Sequence, residues 1–259
     1  MVKQRSMKNR TFFLIFLLIY NINYSQQNGG IIIYKKRYLE KQDTLSDNSL
    51  FKRNKKLYDK ISKTTKETNK ILKKLEFELK FDNENALFKI KPNMKLESNM
   101  FYGFALGPYG GRIFYSSNKD KNGSMLIEEF GEKFLIKKDK KKWKLTSMKK
   151  KVGDFMCYKA TTVQKTKHKG KDKELLIEAW FSNEIPLSYG PIGYGGLPGL
   201  ILELQVGKSI FVASKMIFKN QTNLKIKKPE VKKEITEKEF EELTQKMLRD
   251  FKKSVKKKS

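Results

Sequence analysis

The chain has 259 residues, 38% of them hydrophobic, which is enough to bury a full core in one domain. Its formal net charge of +29 raises the question of nucleic-acid binding, because basic faces neutralise phosphates and release counterions. Only 6 of the 57 basic residues are arginines, however, and arginine is the side chain that grips phosphate through two hydrogen bonds. We therefore predict no specific nucleic-acid partner and interpret the lysines as a solvated surface with weak attraction to anionic lipid headgroups.

The N-terminus has the pattern of a secretory signal peptide. Basic residues between positions 3 and 10 precede an apolar run at 12–20, and Ser25 offers a small residue at the cleavage site. The apolar run is too short to cross about 30 Å of hydrocarbon. We predict a signal peptide over 1–25, a single β-rich domain over 26–259 and no transmembrane span in the mature chain. The expected location is the periplasm or cell envelope, with secretion as the alternative.

Two residue types are too rare for several kinds of chemistry. Cys157 is the only cysteine, which excludes an intramolecular disulfide and a cysteine-based metal cluster. His168 is the only histidine and lies in a lysine-rich segment, where a positioned catalytic base is not expected. We therefore predict no metal site, no cofactor and no catalytic residue.

The first half of the chain predicts one helix among strands. A lysine-rich segment at 48–74 carries aliphatic residues at helical spacing, and we expect this helix to lie across an open side of a sheet. Gly131 followed by Glu132 predicts a type II′ turn, and 93–108 is interpreted as a loop with some strand. Strands are predicted from alternation or β-branched content at 31–39, 75–81, 86–90, 112–116, 125–130 and 133–137.

The second half continues the hairpins and ends in a helix. A charged stretch at 164–174 is interpreted as an exposed hairpin tip and 220–234 as a polar exit segment. Thr236 and Glu239 form a predicted capping box for the closing helix. Further strands are predicted at 143–147, 155–163, 175–181, 200–206 and 209–218. The fold class is therefore mainly β, an antiparallel meander forming a curved sheet or half-open barrel, with one early and one C-terminal helix.

A glycine- and proline-rich stretch at 190–201 lies between two of these strands. It cannot be a phosphate-binding loop, because a strand follows it and no Lys-Ser/Thr pair is present. Aromatic rings beside an approachable backbone suit the recognition of a ligand, although the same rings can simply pack over the turn. The candidate binding residues are Trp180, Tyr189, Pro191, Tyr194, Gly195, Gly196, Leu197, Pro198 and Gly199.

Motifs in this stretch resemble the GLPGLI family of exported Bacteroidetes proteins. The segment 196–201 reads Gly-Leu-Pro-Gly-Leu-Ile, and 153–160 is similar to the family's Gly-Tyr-x-Cys-x-Lys-Ala segment, with Phe155 in place of the tyrosine. The resemblance implies export to the periplasm or envelope. It implies no catalytic residue, because the family's function is unknown.

These observations favour a non-catalytic binding or carrier protein. The expected partner is an apolar, lipid-like ligand or an envelope protein. One alternative is a hydrolase of envelope polymers that uses Glu178 and Glu203, two carboxylates near the glycine-rich stretch. The other alternative is a purely structural surface protein.

Overall fold

The computed structural model describes residues 29–39, 53–119, 123–168, 171–218 and 224–256. The predicted signal peptide therefore lies outside the described residues. Within them, none of the helices has both the length and the apolar character needed to cross a membrane.

One sheet contains every strand of the described residues, and the elements are numbered here in chain order. The strands are β1 (Gly29–Tyr38), β2 (Glu76–Asp82), β3 (Asn85–Ile90), β4 (Ile113–Ser117), β5 (Gly123–Glu129), β6 (Glu132–Lys137), β7 (Lys144–Val152), β8 (Phe155–His168), β9 (Lys171–Ser182), β10 (Leu200–Val206), β11 (Ser209–Phe218) and β12 (Lys233–Thr236). The helices are α1 (Lys55–Leu72), α2 (Met94–Glu97), α3 (Tyr102–Leu106) and α4 (Glu237–Lys256), with 3₁₀ turns at Gly107–Tyr109 and Pro191–Gly193.

The sheet consists of two meanders that meet at the pair β1–β11. Its strand order is β12-β6-β5-β4-β3-β2-β1-β11-β10-β9-β8-β7, so β1 to β6 run outward in one direction and β11 to β7 in the other. All neighbours are antiparallel except β12, which pairs parallel with β6. The predicted mainly-β fold with an early and a C-terminal helix is confirmed, and the single parallel pair makes the sheet mixed.

The sheet is strongly curved, and one short connection requires this. Residues 138–143 join β6 to β7, which stand near opposite ends of the strand order. Ten interstrand steps of ~4.8 Å would separate these strands by roughly 48 Å in a flat sheet. The connection can span only about 25 Å when fully extended. The two ends of the sheet must therefore approach each other, which produces the half-open barrel shape; we call residues 138–143 the strap.

Aromatic side chains dominate the core on the concave face. Phe77 and Phe88 stack with ring centroids 5.7 Å apart, and Phe211 contacts both rings edge-on. Burying such a side chain contributes about 1.5–3 kcal/mol relative to its exposure to water. The hydroxyl of the fully buried Tyr34 donates a 2.7 Å hydrogen bond to the Ile201 carbonyl oxygen, which links the two meanders.

Two local predictions were wrong, and a third was right only in part. The stretch 93–108 forms short helices, and the Asn93 side chain accepts a hydrogen bond from the Leu96 N–H as the cap of α2. The stretch 164–174 contains the tip of the β8–β9 hairpin, as predicted, but it is mostly strand, because β8 and β9 stay paired as far as His168 and Lys171. The β5–β6 turn has positive φ at both Phe130 and Gly131, so it is of the I′ kind rather than II′.

The two long helices differ in how they are held. The capping box of α4 is confirmed, because Thr236 N–H donates to Glu239 Oε2 at 2.7 Å and Glu239 N–H donates to Thr236 Oγ1 at 3.2 Å. Helix α1 contacts α3 and buries only Ile71 and Leu72. It therefore does not cover the sheet along its length.

Candidate functional site

The strap is fastened to three separate parts of the fold. The Lys138 N–H donates a 2.9 Å hydrogen bond to the Gly123 carbonyl oxygen at the start of β5. The Trp143 indole N–H donates to the Gly195 carbonyl oxygen at 2.9 Å. The Asp139 N–H points to a Glu237 carboxylate oxygen at 3.4 Å, on the first turn of α4. The strap thus joins β5, the β9–β10 connection and the C-terminal helix.

The β9–β10 connection, residues 183–199, fills the inside of the curved sheet, and we call it the Gly-Pro loop. Its 3₁₀ turn contacts β3, β4 and β5 of the opposite meander. The side chains of Tyr189, Ile192, Tyr194 and Leu197 are each no more than 3% exposed. The loop is therefore part of the hydrophobic core, not a flap over it.

Close backbone contacts determine the path of the loop. The Gly196 N–H donates to the Ser188 carbonyl oxygen at 3.0 Å, and the Ser188 hydroxyl donates to the Leu197 carbonyl oxygen at 2.8 Å. A Cβ atom at Gly199 would lie 2.1 Å from the Ser182 carbonyl oxygen, and one at Gly195 would lie 2.4 Å from that of Ser188. These two positions of the motif require glycine because backbone passes where a side chain would begin.

One residue of the loop holds a strained conformation. Ile192 has φ 49° and ψ 34°, in the left-handed region that β-branched residues rarely adopt. Such a residue costs of order 1–3 kcal/mol and persists only where its surroundings impose it. Burial of the Ile192 side chain, 3% exposed, supplies that constraint.

A cavity of about 440 Å³ lies between the strap and the Gly-Pro loop. Its walls come from the end of β4, the start of β5, the strap and the loop. The lining residues are Ser116, Ser117, Asn118, Gly123, Lys138, Asp139, Lys140, Lys141, Ser188, Tyr189, Gly193, Tyr194, Gly195 and Gly196.

The cavity is basic. Lys138, Lys140 and Lys141 line it together with a single carboxylate, Asp139. None of these lysines forms an ion pair with a carboxylate in the parts of the chain that the structure describes. Such a concentration of unneutralised ammonium groups in a concave site creates a positive potential that attracts anions.

Lys138 is the least solvated of the three. Its ammonium group lies 5.4 Å from the centre of the Phe114 ring and 5.7 Å from that of Tyr194. Burial lowers the pKa of Lys138 to about 8, and the nearby Lys141 contributes in the same direction, whereas Glu237 opposes the shift. A negatively charged group in the cavity would stabilise the protonated form of this lysine.

Tyr189 also lines the cavity, and its hydroxyl is buried. The residue is 2% exposed, and its Oη has no hydrogen-bond partner among the described residues. Burial raises the pKa of this hydroxyl, the carboxylates of Asp82 and Glu84 act in the same direction, and the Asn118 amide, near enough for a weak hydrogen bond, acts against them. The charged neighbours of this hydroxyl are therefore carboxylates and not lysines.

The structure brings together some of the candidate binding residues and not others. Tyr189, Tyr194, Gly195 and Gly196 line the cavity. The remaining five candidates do not line it: Trp180, Pro191, Leu197, Pro198 and Gly199. Pro191, Leu197 and Gly199 are buried in the loop, and Pro198 is exposed.

Trp180 belongs to a separate cluster with the two carboxylates considered for hydrolysis. The Lys150 ammonium group lies 4.3 Å from the centre of the Trp180 ring and forms a 2.9 Å ion pair with Glu203. Lys159 forms a 2.9 Å ion pair with Glu178. Both carboxylates are therefore neutralised by lysines. Lys159 and Glu178 pair across the neighbouring strands β8 and β9, whereas Lys150 reaches Glu203 from β7 to β10.

The other residues considered from the sequence give less support for a functional site. Cys157 is buried with 0% exposure, and burial raises the pKa of its thiol to about 11. Among the described residues, no group of three or more histidine, cysteine, aspartate or glutamate side chains is placed to hold a metal ion.

The strap lysines were not predicted as site residues. Their only sequence signal is the run of lysines at 140–142 directly before Trp143, and such runs usually mark solvated loops. The run gave no indication that the connection crosses between the two ends of a sheet.

The fold thus defines the class of protein, which is a curved, mainly β domain closed by an internal glycine-rich loop. A family model described as "Protein of unknown function (Porph_ging)" matches residues 163–203, which include β9, the Gly-Pro loop and the first half of β10. The motif-based resemblance to the GLPGLI family is compatible with this match. No curated protein matches the chain.

One solved structure is similar in outline. It is described as "Structure of PNGF-II in C2 space group" and matches with a TM-score of 0.43 and 16% sequence identity. The match covers 81% of this chain and 30% of that chain, so this chain spans less than a third of the other protein's length.

Proposed function

We propose that this chain is an exported, non-catalytic binding protein of the cell envelope, and that it holds an anionic group of its ligand in the cavity between the strap and the Gly-Pro loop. The observation that carries the proposal is the lining of the cavity, where Lys138, Lys140 and Lys141 occur with a single carboxylate, Asp139. A phosphate or carboxylate would pair with these lysines.

The lining of the cavity favours a charged ligand over the apolar one expected from the sequence. A carrier of acyl chains needs an empty apolar interior, and here the Gly-Pro loop fills the inside of the sheet with its own side chains. A hydrolase has less support, because Glu178 and Glu203 are paired with lysines outside this cavity. Location in the envelope rests on the N-terminal pattern of the sequence.

Calorimetric titration with inorganic phosphate and with glucose 6-phosphate tests the proposal, with glucose as the uncharged control. Both phosphates should bind and glucose should not. The variant Lys138→Met should bind phosphate about tenfold more weakly, because a charge-assisted hydrogen bond contributes about 1.5–3 kcal/mol. Lys149→Met is the matched control, since Lys149 also lies over an aromatic ring, 5.2 Å from the centre of Tyr158, but does not line the cavity.

Tyr189→Phe is a second control within the cavity wall. Because burial closes the hydroxyl off from solvent, its removal should leave phosphate binding unchanged. Binding that is equal in Lys138→Met, Lys149→Met and the wild type would refute the proposal.

A further inference from the structure

Helix α1 is an unusual element because only its C-terminal end is buried. Of its 18 residues only Ile71 and Leu72, at the C-terminal end, are buried. Leu57 is 43% exposed and Ile61 is 47% exposed. The helix is anchored to the body of the protein at one end and carries two exposed aliphatic side chains along the rest.

The exposed aliphatic residues belong to the same face as the buried end. Leu57 and Ile61 are four residues apart, and the 3.6-residue period continues their line through Thr64 and Thr68 to Ile71. One apolar stripe therefore begins in the core and continues into solvent. If the aliphatic side chains served only to pack α1 against the core, they would be confined to its buried C-terminal end.

The neighbouring helix adds further exposed apolar surface. Helix α3 packs against α1, and its Phe104 is 65% exposed. Met100, just before α3, is 80% exposed. Exposed large apolar side chains scattered singly are ordinary, but several on adjoining short elements indicate an interaction surface.

The rest of the α1 surface is strongly basic. On the helical wheel Lys60 borders the apolar stripe, Lys56 flanks it, and lysines 63, 66 and 70 lie on the opposite side. Acidic residues on the helix are limited to Asp59 and Glu67, and Glu67 is paired with Lys70 at 2.8 Å. A helix with a lysine-rich face, a narrow apolar stripe and low overall hydrophobicity is typical of segments that lie in the plane of a membrane interface.

We infer that α1, with the adjoining Phe104, docks this protein on the surface of an anionic phospholipid bilayer. The aliphatic stripe enters the boundary between headgroups and acyl chains, and the flanking lysines contact lipid phosphates. Charge complementarity selects this occupant, because lysines near such a surface are attracted to its anionic headgroups, whereas a neutral partner helix would gain nothing from them. The surface is separate from the cavity of the proposed function.

Co-sedimentation of the full mature chain with vesicles tests the inference. Vesicles of phosphatidylethanolamine with phosphatidylglycerol should bind the protein, and vesicles of phosphatidylcholine alone should not. The double variant Leu57→Ser with Ile61→Ser should bind the anionic vesicles about tenfold more weakly. Its melting temperature should equal that of the wild type, because both side chains are exposed.

A second double variant controls for general loss of apolar surface and for the high net charge. Leu145→Ser with Met148→Ser alters side chains on β7 that are 59% and 54% exposed, and it should bind vesicles like the wild type. Equal binding by both double variants would mean that overall charge alone attracts the protein, and the inference would be refuted. Lys138→Met should leave vesicle binding unchanged, so failure of this inference and failure of the proposed function can be distinguished.

Discussion

The Trp143 indole donates a hydrogen bond to the Gly195 carbonyl oxygen at 2.9 Å, and its ring contacts Tyr194 edge-on with the centroids 6.2 Å apart. This pair joins the strap to the loop that fills the sheet, so one side chain connects the two walls of the cavity. Its removal should affect both stability and the shape of the cavity.

Trp143→Phe tests this connection. Phenylalanine keeps much of the contact with Tyr194 but cannot donate to Gly195, so the free energy of unfolding should fall by about 1 kcal/mol. Urea denaturation measures the change. Calorimetric titration of the same variant should show weaker phosphate binding. An unchanged denaturation midpoint would mean that the hydrogen bond contributes nothing to holding the strap.

The last glycine of the Gly-Leu-Pro-Gly segment should tolerate no side chain. Gly199→Ala would place Cβ 2.1 Å from the Ser182 carbonyl oxygen, and the backbone would have to move. The expected loss is more than about 3 kcal/mol or failure to fold. Gly103→Ala is the matched control, because no atom lies within 4 Å of its Cβ position in α3. That variant should be equally or slightly more stable, as alanine favours helix by up to about 1 kcal/mol. Similar losses in both variants would contradict the packing explanation.

The titration of Lys36 should contribute a rise in stability between about pH 8 and pH 10.5. Lys36 is 2% exposed, and its ammonium group donates to the Ala105 and Leu106 carbonyl oxygens and to the Tyr38 hydroxyl. Burial lowers the pKa of Lys36 from its ordinary value of 10.5 to about 8. The folded state therefore loses this proton at a lower pH than the unfolded state, and between these two pKa values the unfolded chain binds more protons, which makes the free energy of unfolding increase with pH.

The comparison of Lys36→Met with the wild type isolates this contribution. The free energy of unfolding of the variant should rise less between about pH 8 and pH 10. In the variant Lys138, whose pKa is also lowered to about 8, still contributes to that rise. A substitution of the exposed Lys63 should leave the wild-type slope. Denaturation curves at several pH values measure the slope, and identical slopes in Lys36→Met and the wild type would show that Lys36 titrates normally.

The single thiol should be unreactive in the folded protein. Cys157 has 0% exposure, and its pKa of about 11 leaves little thiolate at neutral pH. Iodoacetamide should label native protein far more slowly than protein in urea. A cysteine introduced at the exposed Ser62 of α1 provides the control and should react rapidly. Fast labelling of Cys157 without denaturant would show that the strand opens readily.

Strand positions could be predicted from the alternation of apolar and polar residues, because burial of one face of a sheet imposes a period of two on the sequence. The run from Leu75 to Phe81 shows this, and β2 has the predicted position within one residue. Strand β12 lacks such a signal, since only Ile235 of its four residues is even partly buried. The unpaired edge of β6 and the following helix α4 position β12, and neither can be identified from four residues of sequence.

The site was less predictable than the fold for a related reason. Glycines and aromatic residues at 189–199 indicated an important loop, but their burial follows from a contact with β3 to β5 that lies far away in sequence. The position of Lys138 in the cavity could not be predicted for the same reason. Its environment depends on Phe114 and Tyr194, which only the curvature of the sheet brings to it.

The seam between β1 and β11 has a consequence for biosynthesis. Ile32 pairs with Met216, so β1 must wait until β11 has been synthesised before both of its edges are paired. Until then the first meander exposes the edge of an isoleucine-rich strand, which is a template for association with other chains. Growing chains should therefore depend on chaperones until residues 209–218 become available.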